Sequence, residues 1–323
     1  GSGGMAGGGT GGSAGMAGSS TGGAAGSGGT GGAAGSGGTG GSNPLPLLGV
    51  YNGGPNTDDD TKTTFGKYPD IASTYYQPNQ ASFNVNGEKA RVDKGIRPLI
   101  TITSKNTTYL VDIAAKSGPG WTWINDYVNA LKAVSDYAAS KNVDVYATFE
   151  HEWEVKVNQG ILTGGATAPA TYAKALSNFI ALTESKAPKI ITVYWYGGFD
   201  VTDIAAVGSQ LSPTPDMYTI DPYSGSSHPA TETFEQMGSG RVSWLKSQSW
   251  YKGEPIGFSE FGAQHSDADM AKYFFKDVRQ QSKNLGLAFA VFFNRFDDGF
   301  VVPLTQATYP LSTAAFSASL AAN

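Results

Sequence analysis

The sequence contains no cysteine, so disulfides contribute nothing to its stability. That absence is compatible with export without requiring it. No run of about 18 apolar residues occurs, which excludes a transmembrane helix as an expectation. Its 22 Lys and Arg are scattered and are outnumbered by 27 Asp and Glu, giving a formal charge of −5. Without a basic run, nucleic acid is excluded as a partner. Charge is missing altogether from residues 1–42, which are almost entirely Gly, Ala, Ser and Thr and hold half of the 44 glycines. The nine-residue unit GGAAGSGGT stands there twice in tandem, at 22–30 and 31–39. Such a tract has no apolar stripe whose burial offsets the entropy of ordering. It is read as a disordered Gly-rich linker with a root-mean-square reach of roughly 35 Å. It serves either as a tether to a cell surface or as a neutral spacer. The opening Gly-Ser-Gly-Gly-Met has no basic region followed by an apolar one, so no signal peptide is expected within these 323 residues.

What remains, residues 43–323, is long enough for one large domain with a full core. Eight short β-rich segments alternate with helical ones: 47–51, 70–76, 97–103, 143–149, 189–196, 217–223, 255–261 and 286–294. The segment at 121–140 carries Ile124, Tyr127, Val128, Leu131, Val134 and Tyr137 close to a 3.6 period. Segments 169–185 and 266–284 are also predicted helices, the latter with Ser266 as N-cap and Asp269 three residues on. This order predicts an α/β fold, a (β/α)8 TIM barrel preceded by the disordered segment.

A closed barrel carries its site at the C-terminal ends of its strands. The polar and aromatic residues there are Tyr51 and Asn52, His151 and Glu152, Tyr196, Asp221 and Tyr223, Glu260, and Asn294. Two carboxylates, after strands four and seven, lie on opposite sides of such a barrel and can face each other across its mouth. One protonating and one attacking carboxyl are what glycoside hydrolysis needs. Glu260 ends the buried run Pro-Ile-Gly-Phe-Ser-Glu, where a charge is costly without a function. Glu152 lies in Phe-Glu-His-Glu-Trp-Glu, and if the strand continues, alternation puts Glu150, Glu152 and Glu154 on one side. On residues alone, all three compete for the acid role. Three carboxylates can also bind a divalent cation. However, the HExxH zinc pattern is absent, and the site is read as holding no metal and no cofactor.

These motifs resemble those of glycoside hydrolase family 26. The family carries its acid/base in a His-Glu dipeptide after strand four, matched by His151-Glu152 and selecting Glu152 over its neighbours. Its nucleophile follows a Pro-hydrophobic run ending Glu-x-Gly, matched by Glu260-Phe-Gly262. Asp221-Pro-Tyr223 resembles its Asp-x-Tyr, which implies that Tyr223 orients the nucleophile, and residues 111–115 resemble its stretch before the third helix. The resemblance runs from Leu47 to about Asn294 in order and spacing. It departs after His-Glu, where Trp153-Glu154-Val155-Lys156 replaces the mannanases' Met-Asn-Gly-aromatic, and at Phe292-Phe293-Asn294, where a Trp is common.

The resemblance implies a retaining, endo-acting β-glycosidase. Its first substrate is β-mannan, with β-1,3-xylan or mixed-linkage glucan next. Glu152 acts as acid/base with a raised pKa and Glu260 as nucleophile with a low one. His151 and Asp221 are orienting candidates, Trp153 and Trp195 candidate sugar platforms, and Tyr51, Asn52, His265 and Asn294 candidate lining residues. Trp121 and Trp123 are expected in outer packing, and His228 has no role. A secreted or surface-tethered monomer is expected. Three other readings stand beside it: another barrel glycosidase, as in family 5, a non-catalytic carbohydrate-binding barrel, and a spacer protein.

Overall fold

The computed structural model describes residues 45–77, 83–297 and 299–322. The segment 1–42, read as a linker, lies outside them. In chain order the strands are β1 (Leu47–Tyr51), β2 (Ile71–Tyr76), β3 (Arg97–Ile102), β4 (Val145–Phe149), β5 (Ile190–Tyr196), β6 (Met217–Ile220), the two-residue β7 (Tyr223–Ser224), β8 (Ile256–Ala263) and β9 (Leu287–Phe293). All pair in parallel. The order runs β6-β5-β4-β3-β2-β1-β9-β8, and a β6–β8 pairing closes the ring into a (β/α)8 barrel. The helices are α1 (Asp58–Phe65), α2 (Val85–Asp93), α3 (Thr107–Ala115), α4 (Gly118–Ser140), α5 (Trp153–Asn158), α6 (Pro169–Lys186), α7 (Val201–Gly208), α8 (Phe234–Lys246), the one-turn α9 (Asp267–Asp269), α10 (Val278–Leu285) and α11 (Pro310–Ala321).

The strands are β-branched and aromatic because both faces are buried. Their period of two divides the apolar residues into two cores. Ile71, Leu99, Tyr146, Val193, Trp195, Met217, Phe289 and Val291 fill the barrel interior. A larger cluster lies between strands and helices and includes Tyr194, Tyr196, Tyr218, Phe258 and Phe261. Gly49 is required in the inner layer, where a Cβ would come within 2.6 Å of the Ile71 carbonyl oxygen.

Two expected elements are interrupted. The sixth strand stops at Ile220, and Pro222, which has no N–H to give a ladder, separates it from β7, which pairs with β8 alone. The helix expected over 266–284 begins as read, with the Ser266 hydroxyl accepting the Asp269 N–H. It then passes through a π-turn at Met270–Phe274 and a left-handed Asp277 before α10. The π-turn turns Met270, Phe274 and Phe275 into the core, where Phe275 meets Phe292 and Phe316. The Ser319 hydroxyl accepts the N–H of Val278, the first residue of α10.

Candidate active site

β4 ends at Phe149, one residue before the acidic cluster, and there the backbone departs from the extended path. Glu150 (φ 55°) and Glu152 (φ 50°) are both left-handed, a costly conformation for a residue with a side chain. The three glutamates therefore do not share one face. Glu150 turns sideways: Lys156 donates to its Oε1 at 2.8 Å and the Ser104 N–H to its Oε2 at 2.7 Å. Glu154, on α5, accepts the N–H groups of Gly197 and Gly198 at 2.7 and 3.0 Å. Only Glu152 points into the barrel mouth. Its N–H donates to the Trp195 carbonyl at 3.1 Å, which ties it to β5. Gly197 faces it closely, and a Cβ there would lie 3.0 Å from Glu152 Oε1.

Glu260 reaches the same space through an irregularity in β8. Phe258 pairs with Ala290 and Phe261 with Phe292, so three steps along β8 match two along β9. This bulge keeps both phenylalanines in the outer layer and turns Glu260 inward. One oxygen of Glu152, one of Glu260 and a ring nitrogen of His151 lie within 4.8 Å of one another. Tyr75 donates to Glu260 Oε1 at 2.5 Å, and Tyr223 donates to Oε2. Asp221, fully buried, accepts the Glu260 N–H at 2.9 Å and the Trp195 indole N–H, and its carboxyl also hydrogen-bonds that of Glu152. A pocket of about 300 Å³ opens over the pair, lined by Tyr51, Tyr75, Gln77, Phe293 and Asp297 besides the catalytic candidates.

Three buried carboxyls so close cannot all ionise near neutrality. Burial, then the charges of Glu260 and Glu154, pushes Glu152 up to about 8. Burial, then Glu260 and Glu152, raises Asp221 well above the carboxylate range. Glu260 was expected low, but burial raises it, and the Tyr223 and Tyr75 hydroxyls only partly offset this. Of the three, Glu260 alone has two tyrosine hydroxyl donors, which favour its ionised form. His151 is held neutral, its pKa pushed well down by burial and then by Lys156, and its Nδ1 lies 2.7 Å from the Thr101 hydroxyl.

Two expected sugar platforms, Trp153 and Trp195, are corrected. Trp153 is 1% exposed, stacks on Tyr172 with ring centroids 5.1 Å apart, and donates its indole N–H to the Ala166 carbonyl. It is packing under α5 rather than a sugar platform, because the chain turns away after Glu152. Trp195 is fully buried inside the barrel, so it supports Asp221 from below and offers no open ring face. Tyr196, the next residue along, points to the helix layer by strand alternation. Asn294 accepts the Leu304 N–H and donates to Asn52 at 3.3 Å, so the two asparagines pin the loops after β9 and β1. His265 sits 3.2 Å from the Ser224 hydroxyl beside β7, and His228 pairs with Glu232. Tyr51 does reach the pocket, edge-on to Tyr75 at 4.5 Å.

Sequence reasoning missed Tyr75. Its signal was available: Ile71, Ser73 and Tyr75 alternate, and Ile71 is an inner-layer residue. It also missed the rim aromatics Phe199 and Phe300, both exposed and 6.3 Å apart, with Phe300 6.0 Å from Tyr223.

His151, Glu152 and Glu260 offer atoms that could hold a metal ion. Both oxygens of Glu260 are, however, engaged by tyrosine hydroxyls that a cation would have to displace.

No protein-family model matches the chain, and no curated protein matches it. Solved structures do. An endo-β-1,4-mannanase double mutant from Cellulomonas fimi superposes with a TM-score of 0.62 at 14% identity, over 86% of this chain and 70% of that one. The catalytic domain of a family 26 endo-β-1,4-mannanase from Bacillus sp. JAMB-750 gives 0.60 at 14% identity, over 86% and 87%. The family 26 domain of an endo-β-mannanase/endo-β-glucanase from Prevotella bryantii gives 0.56 at 16% identity, over 86% and 89%. The likeness at these identities is one of fold: the chain has the TIM-barrel architecture of family 26 glycoside hydrolases.

Proposed function

We propose that this protein is a retaining, endo-acting β-glycoside hydrolase. Glu260 attacks the anomeric carbon and the bond to the leaving oxygen breaks, giving a glycosyl-enzyme. Glu152 gives its proton to that oxygen, then takes one from the incoming water, and Glu260 departs. The observation that carries this reading is the closeness of the pair, with one oxygen of each carboxyl within 4.8 Å of the other. A retaining site needs about 5–5.5 Å, whereas an inverting one needs roughly 6.5–9.5 Å for an intervening water. The division of labour follows from the partners: two hydroxyl donors keep Glu260 anionic, and burial beside other carboxyls keeps a proton on Glu152.

β-Mannan is the first substrate, supported by the shared fold with family 26 mannanases. β-1,3-xylan or mixed-linkage glucan comes next. Such polymers lie outside cells, so the enzyme works secreted or tethered, with the segment 1–42 as a spacer. The test is a panel of galactomannan, β-1,3-xylan, mixed-linkage glucan and arabinoxylan assayed for released reducing sugar, with the first product's anomer read by NMR. At least one polymer is cleaved with retention. Glu260→Ala abolishes turnover and keeps sugar binding. Inversion in the first product removes the covalent mechanism, and no cleavage of any polymer removes the enzymatic reading.

A further inference from the structure

Glu152 and Glu260 divide the ring of strands into two arcs. Glu152 follows β4, and Glu260 lies on β8. Between them come β3, β2, β1 and β9 one way round, and β5 and β6 the other. The first arc supplies the aromatic wall of the catalytic pocket, with Tyr51 on β1, Tyr75 on β2 and Phe293 on β9. On the second arc two phenylalanines stand in water, Phe199 after β5 and Phe300 over β7. They are 51% and 41% exposed, with ring centroids 6.3 Å apart. Phe300 lies 6.0 Å from the ring of Tyr223, which donates to Glu260. Phe199 stands beside the acid: a Cβ on Gly197 would lie 3.0 Å from Glu152 Oε1 and 3.2 Å from Phe199 Cδ2. The two rings therefore flank the catalytic pair on the side away from Tyr51, Tyr75 and Phe293.

Both rings are held in place by backbone. Glu154 accepts the N–H groups of Gly197 and Gly198, and the Gly198 carbonyl accepts Arg241 Nη1 at 2.6 Å. The same guanidinium stands over the Phe199 ring, 5.6 Å from its centroid. On the other loop, Asp297 and Val301 exchange backbone hydrogen bonds of 3.1 and 3.0 Å, and the Val302 N–H donates to the Ala263 carbonyl at 3.1 Å. The Gly299 carbonyl accepts the Ser226 N–H at 3.0 Å, which fixes Phe300 beside β7. That approach requires Gly225, where a Cβ would come within 2.2 Å of the Gly299 oxygen. Exposed aromatic surface on a fixed frame beside a catalytic pair is preorganised for a ligand. A phenyl ring has no hydrogen-bonding atom, so the ligand it suits is the C–H face of an uncharged sugar ring. In a double displacement the attacked sugar sits over the nucleophile and the departing one beside the acid. The pocket lined by both carboxyls takes the attacked sugar. Phe199, outside that pocket and next to Glu152, meets the departing one.

We propose that Phe199 and Phe300 form the platform for the leaving-group sugar of a neutral polysaccharide, in place of an aromatic carried after β4. The assignment to the leaving-group side rests on the glycosidase reading, but binding to the rings is measured without turnover. The full chain carrying Glu260→Ala is titrated by calorimetry with the linear hexasaccharides of β-1,4-mannan, β-1,3-xylan and mixed-linkage β-glucan. At least one binds, and adding Phe199→Ala or Phe300→Ala weakens it about tenfold. Phe199→Tyr keeps the ring and the affinity, whereas Phe199→Leu keeps an apolar side chain and loses the affinity. Because both side chains are about half exposed, the alanine variants keep the urea midpoint of the parent, which separates lost stacking from lost fold. With Glu260 intact, Phe199→Ala shifts cleavage of the bound hexasaccharide toward its reducing end, since fewer sugars are then held on the leaving-group side. Affinity untouched by the double alanine change, or no binding of any of the three, overturns the proposal. A shift of cleavage toward the non-reducing end puts the platform on the other side of the scissile bond and overturns it too. Ring-dependent binding by a protein that cleaves no polymer overturns the glycosidase reading instead, so the two failures are told apart.

Discussion

Tyr75→Phe isolates one hydroxyl. It removes the donor 2.5 Å from Glu260 Oε1 and keeps the ring that packs edge-on against Tyr51, His151 and Trp195. A hydrogen bond to a buried carboxylate contributes about 1.5–3 kcal/mol. If the nucleophile depends on it, kcat/KM falls about 10- to 150-fold. The sign of the pH effect follows. A donated hydrogen bond favours the ionised carboxylate, so its loss raises the Glu260 pKa further. Because the proposed nucleophile works ionised, the acidic limb of the pH profile moves upward while the basic limb stays. Tyr223 still donates to Oε2, so the variant keeps activity and the double change with Tyr223→Phe loses more. The assay is kcat/KM against pH on whichever polymer the panel identifies. An unchanged acidic limb with an unchanged rate would refute the view that Tyr75 keeps the nucleophile charged.

Other outcomes follow from the same geometry. With Glu152 raised to about 8 by burial and by Glu260, the acid is protonated below that pH, so kcat/KM holds through neutrality and falls above about pH 8; a basic limb below pH 6 would contradict the desolvated acid. Trp153→Ala, by emptying a stacked core site, lowers unfolding free energy in urea by about 3–5 kcal/mol, whereas a sugar platform would raise KM and leave stability alone. Chelation with EDTA leaves turnover unchanged, since tyrosine hydroxyls occupy both oxygens of Glu260; loss of activity restored by a divalent cation would assign the His151, Glu152 and Glu260 cluster to a metal.

The alternation of strand and helix was legible because a two-layered barrel writes itself as short, fully apolar runs between 3.6-period segments. β1 begins and ends where its residues place it, and the remaining barrel strands shift by only a few residues at their ends. Glu260 stood out as an acid at the end of a buried run, whereas the residues alone left Glu150, Glu152 and Glu154 in competition and only the resemblance to family 26 selected Glu152. What was not legible was direction. In β8 strict alternation from Phe258 would turn Glu260 outward with it, and an extra residue opposite β9 reverses that. After β4 the left-handed turns at Glu150 and Glu152 sort three glutamates into two structural roles and one site, and send Trp153 beneath Tyr172. The sequence by itself determined which segments are strands, because burial demands local patterns. Only the tertiary structure decided where each side chain at the strand ends points, because bulges, turns and hydrogen-bond partners arise from neighbours distant along the chain.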